Sequence, residues 1–528
     1  MTLRPDQIAS IKHHLQAGFQ ALRTRRFEDA VRHAHGALSH DRGAVEGHML
    51  MGFVATERED WGIAREAFAT AIRLDPRLAD AWVMLARTLL VTGEHVDAEK
   101  AAGNAEKLGL RSVEMLDTLG TVFSQLGFQA RALPFFEAAL EARPDYAPAR
   151  LNRASVLTFL GQNTEACRDL EAVLAKDTKN DKAHWMLARA RPADGEAHIE
   201  ALEARLADPA QSKVGRAMIG YALGKLYEDQ GAWDAAFKAY EIGAKAKRGT
   251  LSYNEKQEVD ASAALIAHCD RDWLDAQQGH DEAGPIFIIG QPRTGTTLVD
   301  RIISAHSDVT SADELQQFGI CLKRASGVRA EGTVDAAIVA SAKDTDVAKI
   351  GRAYLDAVAN IRGTTPYFTD KLPQNFFHLG FIAAALPKAR FVHLTRDPMD
   401  SCFASYKQLF AHAHQHSYDQ QEMARHYVRY RALMRHWHKV MPGRILDIAY
   451  EDLVTDTPRA ARRIISHLGL GWQDACAEPH TNHTAVATAS ALQVREKVHT
   501  RSVGRWRHFR QHLSPMRETL CSGGIEGA

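Results

Sequence analysis

The chain has little that would anchor it in a membrane, export it or staple it. Its longest apolar runs are a few residues, far short of the roughly 20 that span a bilayer. The opening residues, Met1 to Asp6, hold no apolar core of the kind a signal peptide needs. Six cysteines, at 167, 269, 321, 402, 476 and 521, lie far apart with no C-x-x-C pair. That pattern predicts free thiols in a reducing compartment rather than a disulfide framework. The expectation is a cytoplasmic chain. A surplus of charge is missing too: 65 basic residues face 65 acidic ones. A net charge of zero argues against a polyanion-coating surface and a nucleic-acid partner, while leaving room for a local basic cleft. At 528 residues the chain is too long for one core, so at least two domains are expected.

What is present in the first half is a repeat. Small residues recur at Gly18, Gly52, Ala86, Gly120, Ala154 and Ala188, every step 34 residues. Ala30, Ala64, Ala98, Ala132 and Ala166 form a second series, and Ala37, Ala71, Ala105, Ala139 and Val173 a third. This is the tetratricopeptide period, and the small residues mark where the two helices of each repeat approach closest. Phe68 and Phe136 supply bulk between them, and Pro76 and Pro144 stop the second helix. The pattern breaks at Arg191-Pro192-Ala193-Asp194-Gly195 and resumes with Gly224, Ala236 and Tyr240. The array is placed at residues 1–250. Such solenoids expose a concave face that binds peptides or proteins, but an array can equally buttress its neighbour or form a homodimer.

Residues 251–284 read as a connection: an amphipathic helix over Tyr253 to His268, then a polar glycine-containing stretch from Gln277 to Gly284. The remainder, 285–528, alternates strand and helix. Apolar runs at Ile286 to Ile289, Tyr367 to Thr369, Arg390 to Leu394 and Ile445 to Ile448 predict strands, with a further strand-like segment at Asp308 to Ala312. Helical patterns fill 298–306, 333–361, 374–386, 398–411 and 419–441. Alternation of this kind predicts a parallel sheet covered on both faces, with ligands at the carboxyl ends of its strands. The fold class expected is therefore an α-solenoid followed by a P-loop-like α/β domain.

Pro285-Ile-Phe-Ile-Ile-Gly-Gln-Pro-Arg-Thr-Gly-Thr-Thr297 organises that domain. A buried strand ends at Gly290, and Gly295 opens a helix carrying Leu298, Ile302 and Ile303 on one face. Strand, glycine turn and helix start make an anion site, because the free N–H groups of the first helical turn converge there. Pro292 has no N–H, so residues 293 to 297 must supply the donors. Thr296 and Thr297 add hydroxyls and Arg293 a charged fork. The spacing from Gly290 to Gly295 is that of a nucleoside-triphosphate loop, but its lysine is absent: position 296 is threonine.

With those residues in place the chain resembles the sulfotransferase superfamily, and within it the protein-tyrosine sulfotransferases and bacterial relatives that carry tetratricopeptide repeats. The resemblance covers roughly residues 285 to 510. It implies 3′-phosphoadenylyl sulfate as co-substrate, no metal, and sulfuryl transfer to a hydroxyl on a peptide, a glycan or a small molecule. Arg293, Thr294, Gly295, Thr296 and Thr297 would hold the 5′-phosphosulfate. Arg396, in Leu394-Thr-Arg-Asp-Pro398, would take the 3′-phosphate; its plain alternative is a salt bridge to Asp397 or Asp400. The family places a serine eight residues later, where this chain has Ala404, with serines at 401 and 405; Ser405 is taken as the counterpart. Lys371, in Thr369-Asp-Lys-Leu-Pro373, matches the catalytic lysine, and otherwise reads as a surface lysine after a strand. Glu314 matches the general base, with Asp313 as its neighbour and helix capping as the alternative role. Tyr450, Ser490 and Arg501 match residues around the nucleotide. The rival readings are a nucleotide kinase with a divergent loop and a non-catalytic repeat scaffold. His412, His414 and His416 alternate, but no cysteine completes a ligand set, and no metal is assigned to them.

Overall fold

Each small residue of the 34-residue series is buried where two helices cross. The computed structural model describes residues 4–191, 196–330, 332–410, 413–482, 484–488 and 490–527. Helix pairs run Pro5–Arg23 with Phe27–His40, Val45–Glu57 with Trp61–Leu74, Ala79–Val91 with His95–Leu108, and Val113–Gln125 with Gln129–Ala142. Ala147–Leu160 with Asn163–Lys176, Asp181–Ala190 with Glu196–Ala207, and Lys213–Asp229 with Trp233–Arg248 continue the series. A Cβ added to Gly52 would lie 2.5 Å from the Phe68 ring, one on Gly120 2.8 Å from Phe136, and one on Gly224 2.4 Å from Tyr240. In these three pairs the glycine on the first helix receives an aromatic ring from the second, which is why the first helix cannot carry a larger residue there. Pro76 and Pro144 fall just beyond helix ends at Leu74 and Ala142. The break predicted at 192–195 lies outside the described residues. No helix among the described residues is long and apolar enough to cross a membrane.

The chain forms two compact units, Met1–Val156 and Leu157–Ala528. The second unit holds the later repeat helices, the connection and the α/β domain. Tyr221, Phe237 and Tyr240 from the repeats belong to the same core cluster as Phe287, Phe391 and Tyr406. The Tyr221 hydroxyl donates to the Tyr406 carbonyl at 2.9 Å. Buried Glu228 accepts from Lys407 Nζ at 2.6 Å, Arg505 Nε at 2.9 Å and the Tyr240 hydroxyl at 2.8 Å. Burial works to raise this carboxyl, yet Lys407 and Arg505 hold it down to about 2.

Five parallel strands build the sheet: β1 (Pro285–Gly290), β2 (Val309–Ser311), β3 (Tyr367–Asp370), β4 (Arg390–Thr395) and β5 (Ile445–Ala449). Their order is β2-β3-β1-β4-β5. β1 is buried throughout. Its Ile286 and Ile288 face Val299, Ile302 and Ile464, while Phe287 and Ile289 face Phe318, Tyr354 and Phe381. The chain leaves β1 toward β2 at one edge and β4 toward β5 at the other. The carboxyl ends of β1 and β4 are thus the topological switch point, where open α/β sheets bind ligands. Several helical stretches differ from expectation: 374–386 divides into a 3-10 turn at Pro373–Phe377 and a helix at Leu379–Ala385, and the helix from Pro398 ends at Tyr406. Residues 333–361 split into Ala336–Ala342 and Val347–Ala357, because the Asp346 side chain accepts from the N–H groups of Ala348 and Lys349 and starts a new helix.

Candidate active site

The loop between β1 and the helix Thr296–Ser304 is shaped by glycine. Gly295 has φ +100, and an added Cβ would meet the Tyr450 ring at 2.7 Å. Gly290 has φ +151, and its Cβ would lie 2.7 Å from the Leu394 carbonyl. No other residue satisfies both demands at either position. Arg293 itself sits at φ +64, which turns its side chain and the following amides into the loop. The helix start carries no side-chain cap, so its first N–H groups are open. Thr296 and Thr297, both buried, form the first residues of that helix. Thr294 differs: its hydroxyl donates to the Gln291 carbonyl at 2.7 Å, leaving only its N–H for a ligand.

Two arginines close the cradle. Arg293 donates to Ser490 Oγ at 2.5 Å and Gln493 Oε1 at 2.8 Å. Burial, then the charges of Arg189 and Arg396, push its guanidinium down to about 10. Arg396 donates to the carbonyls of Arg293, at 2.8 Å, and Ser502, stacks 4.6 Å over the Tyr450 ring, and leaves its buried Nε without a partner. Asp400 is 3.7 Å away, so the salt-bridge alternative is realised only loosely. That carboxylate is instead held by the N–H groups of Gly504 at 2.6 Å and Trp506 at 3.0 Å. Ser405 Oγ is fully buried 3.1 Å from the Ser401 carbonyl and 3.4 Å from that of Pro292. Among the described residues the buried Ser401 hydroxyl has no partner. Arg501 lies apart: its side chain is 68% exposed and paired with Glu496.

At the end of β3 the lysine is not on the surface. Lys371 is completely buried, with Nζ 2.7 Å from Glu314 Oε1 and 2.9 Å from Asp313 Oδ1. Burial disfavours its charge, yet Asp313, Glu314 and Asp300 outweigh that and raise the ammonium above its ordinary value. Asp313 adopts φ +56 rather than capping a helix, and Gln317–Ser326 begins without a side-chain cap. Asp300, on the loop helix, accepts from Ser311 Oγ at 2.8 Å and from the Thr369 hydroxyl. It thereby ties the cradle to the ends of β2 and β3. The structure thus gathers Arg293, Thr296, Thr297, Arg396, Tyr450 and Ser490 around one loop, and Lys371 with Glu314 at the adjoining strand end.

Several groups were not foreseen. Arg189 brings a third guanidinium toward Arg293. Gln291 Nε2 lies 3.2 Å from His426 Nε2, and His426 Nδ1 2.7 Å from Glu258 Oε1, so the connecting helix Glu255–His268 braces the loop from below. His416 joins Glu258 and His426, its ring stacked on that of His426 at 3.5 Å and 11°. Arg429 also donates to that carboxylate, at 3.0 Å. His393, His438 and Asp447 form a second trio, closed by Asp447 Oδ1 at 2.8 and 3.0 Å from the two rings. His412 lies outside the described residues.

Known proteins match the chain in both of its halves. Residues 285–474 match the model described as the Sulfotransferase family, and residues 50–109 that of the tetratricopeptide repeat. An uncharacterized protein of Aquifex aeolicus is 30% identical over 334 residues, 62% of this chain and 44% of that one. The chain therefore spans less than half the length of that relative. A protein of Caenorhabditis briggsae named "Putative protein-tyrosine sulfotransferase" is 24% identical over 232 residues, 42% of this chain and 80% of that protein. Among solved structures, the sulfotransferase domain from the Synechococcus PCC 7002 olefin synthase aligns at 17% identity over 48% of this chain and 98% of its own, with a TM-score of 0.36. The sulfotransferase and tetratricopeptide resemblances read from the motifs are both found again in these matches.

Proposed function

We propose that the α/β domain transfers a sulfuryl group from 3′-phosphoadenylyl sulfate to a hydroxyl acceptor. The observation that carries this reading is buried Lys371 paired with half-exposed Glu314, beside a loop that lacks the triphosphate-loop lysine and is closed by Arg293 and Arg396. The residues present fit the co-substrate. The glycine-lined loop, with the uncapped helix start at Thr296 and Thr297, suits a 5′-phosphosulfate. The unpartnered Nε of Arg396, backed by Ser405 and the free hydroxyl of Ser401, suits a second phosphate. Tyr450 stacks on Arg396, Ser490 sits on Arg293, and Arg501 would join once its pair with Glu496 opens.

Transfer forms an O–S bond to the acceptor and breaks the S–O bond to the 5′-phosphate, leaving 3′,5′-ADP. The protein's work is positioning and charge neutralisation. Glu314 is 43% exposed on its side chain, so an acceptor hydroxyl can reach it and give up its proton. Lys371 and Arg293 offset charge on the sulfuryl and leaving oxygens. No step in this scheme calls on a metal. A peptide or protein acceptor delivered by the repeats fits the solenoid half of the chain.

A binding test separates this from a kinase. In thermal melts 3′,5′-ADP should raise Tm more than ATP with Mg²⁺; a ligand at about 100 times its Kd stabilises by about 2.7 kcal/mol. Equal or greater stabilisation by ATP would favour the kinase, and no shift with either would favour the scaffold.

A further inference from the structure

The described residues of 482–495, namely 482, 484–488 and 490–495, form a strap with anchors on two sides. Arg301, 1% exposed on the loop helix, donates to Asn482 Oδ1 at 2.8 Å, to the Thr484 hydroxyl and carbonyl, and to the Ala485 carbonyl at 3.3 Å. Asp313 Oδ2 accepts from the Ala487 N–H at 3.2 Å. Arg293 holds Ser490 and Gln493. These contacts all come from the catalytic face.

The remaining anchor comes from the repeats. Phe159 lies in the last turn of Ala147–Leu160, the first helix of the fifth pair. The last four carbonyls of a helix have no partner within it. That of Phe159 accepts two strap donors, the Val486 N–H at 3.1 Å and Arg495 Nη2 at 2.9 Å. A cation at a helix C-terminus is also favoured by the helix dipole. The Phe159 ring packs against Val486, Ala491 and Val494. Gly161, at φ +83, leaves the space: a Cβ there would lie 2.7 Å from Arg495 Nε. Ser490 and Gln493, which occupy the fork of Arg293, thus sit in the same short span as the residues that grip the repeat helix.

We infer that Phe159 and Arg495 are positioning residues for the anion site: the fifth repeat fixes where Ser490 and Gln493 meet Arg293. The array is then part of the site's construction and not only a recruiting surface. The inference rests on the sulfuryl-transfer reading only for the choice of nucleotide probe.

Amide hydrogen exchange on the full chain tests it without a ligand. Phe159→Ala should raise exchange across 486–495 about tenfold or more while β1 stays protected, and Phe159→Leu should restore most of the protection. Arg495→Gln gives the same readout should Phe159→Ala fold poorly. Calorimetry with 3′,5′-ADP then completes a double-mutant cycle. Phe159→Ala should weaken binding several-fold in the wild-type background and add little once Ser490 and Gln493 are both alanine. Unchanged exchange in both variants, or losses that simply multiply through the cycle, would overturn the inference. A wild-type chain that binds no 3′,5′-ADP would count against the sulfotransferase reading, while the exchange result would still decide the role of Phe159.

Discussion

Lys371→Met is expected to lower kcat by on the order of 10³-fold, the scale of losing a preorganised charge at the reacting centre. It should also lower Tm. Lys371 is buried among Asp300, Asp313 and Glu314, and methionine fills the space without answering their charge. Removing one partner of a fully buried pair costs about 3–5 kcal/mol. Asp313 and Glu314 are 33% and 43% exposed on their side chains, so water takes up part of the loss and about 1–3 kcal/mol is the expected range. A variant that melts with the wild type yet loses turnover would mean that the carboxylates are already solvated and that the lysine acts only on the substrate. A variant that turns over normally would remove Lys371 from the mechanism.

Glu314→Gln separates proton transfer from architecture. Glutamine keeps the size and can still accept a hydrogen bond from Lys371 through its amide oxygen, but it cannot take the acceptor's proton. Expected is a fall in kcat of about 10²–10⁴-fold, with 3′,5′-ADP affinity and Tm nearly unchanged. Asp313→Asn is the control. That side chain touches Lys371 too, but its other oxygen holds the strap through Ala487, so its loss should show in exchange and Tm before it shows in turnover. The reverse pattern, with Asp313→Asn slow and Glu314→Gln normal, would move the base one residue back. Two normal variants would place the base outside this pair.

The parts of the site that are local in sequence were legible, and the parts assembled across it were not. Gly290 and Gly295 announce the loop because a tight turn and a close approach to Leu394 and Tyr450 admit only glycine. The 34-residue series announces the helix pairs because aromatic rings such as Phe68 and Phe136 need a partner without a side chain. The same period says nothing about which pairs share a core with the next domain, since Tyr221 and Phe237 look like ordinary repeat residues until Tyr406 is placed against them. Thr369-Asp-Lys-Leu-Pro373 reads as a strand end whose lysine is either at the site or on the surface. It becomes a buried charge cluster through Asp300 and Asp313, which arrive from a helix and a strand end far earlier in the chain. Arg189, 104 residues before Arg293, carries no local signal. The split of 333–361 did have one, the capping aspartate at 346. Arg501 shows the limit of carrying a role by motif alone, for in this structure its side chain is paired with Glu496 in solvent.

Sulfuryl transfer itself is tested most directly by following the label. The full-length chain is incubated with 3′-phosphoadenylyl sulfate labelled with radioactive sulfur and with fractionated lysate, in parallel with the Lys371→Met variant. Expected is label moved onto a product that loses it on hydrolysis of a sulfate ester, with one 3′,5′-ADP released per label transferred and both lowered on the order of 10³-fold in the variant. The account is contradicted if the wild type transfers no label from any fraction, and yet moves the γ-phosphate of ATP in the same fractions.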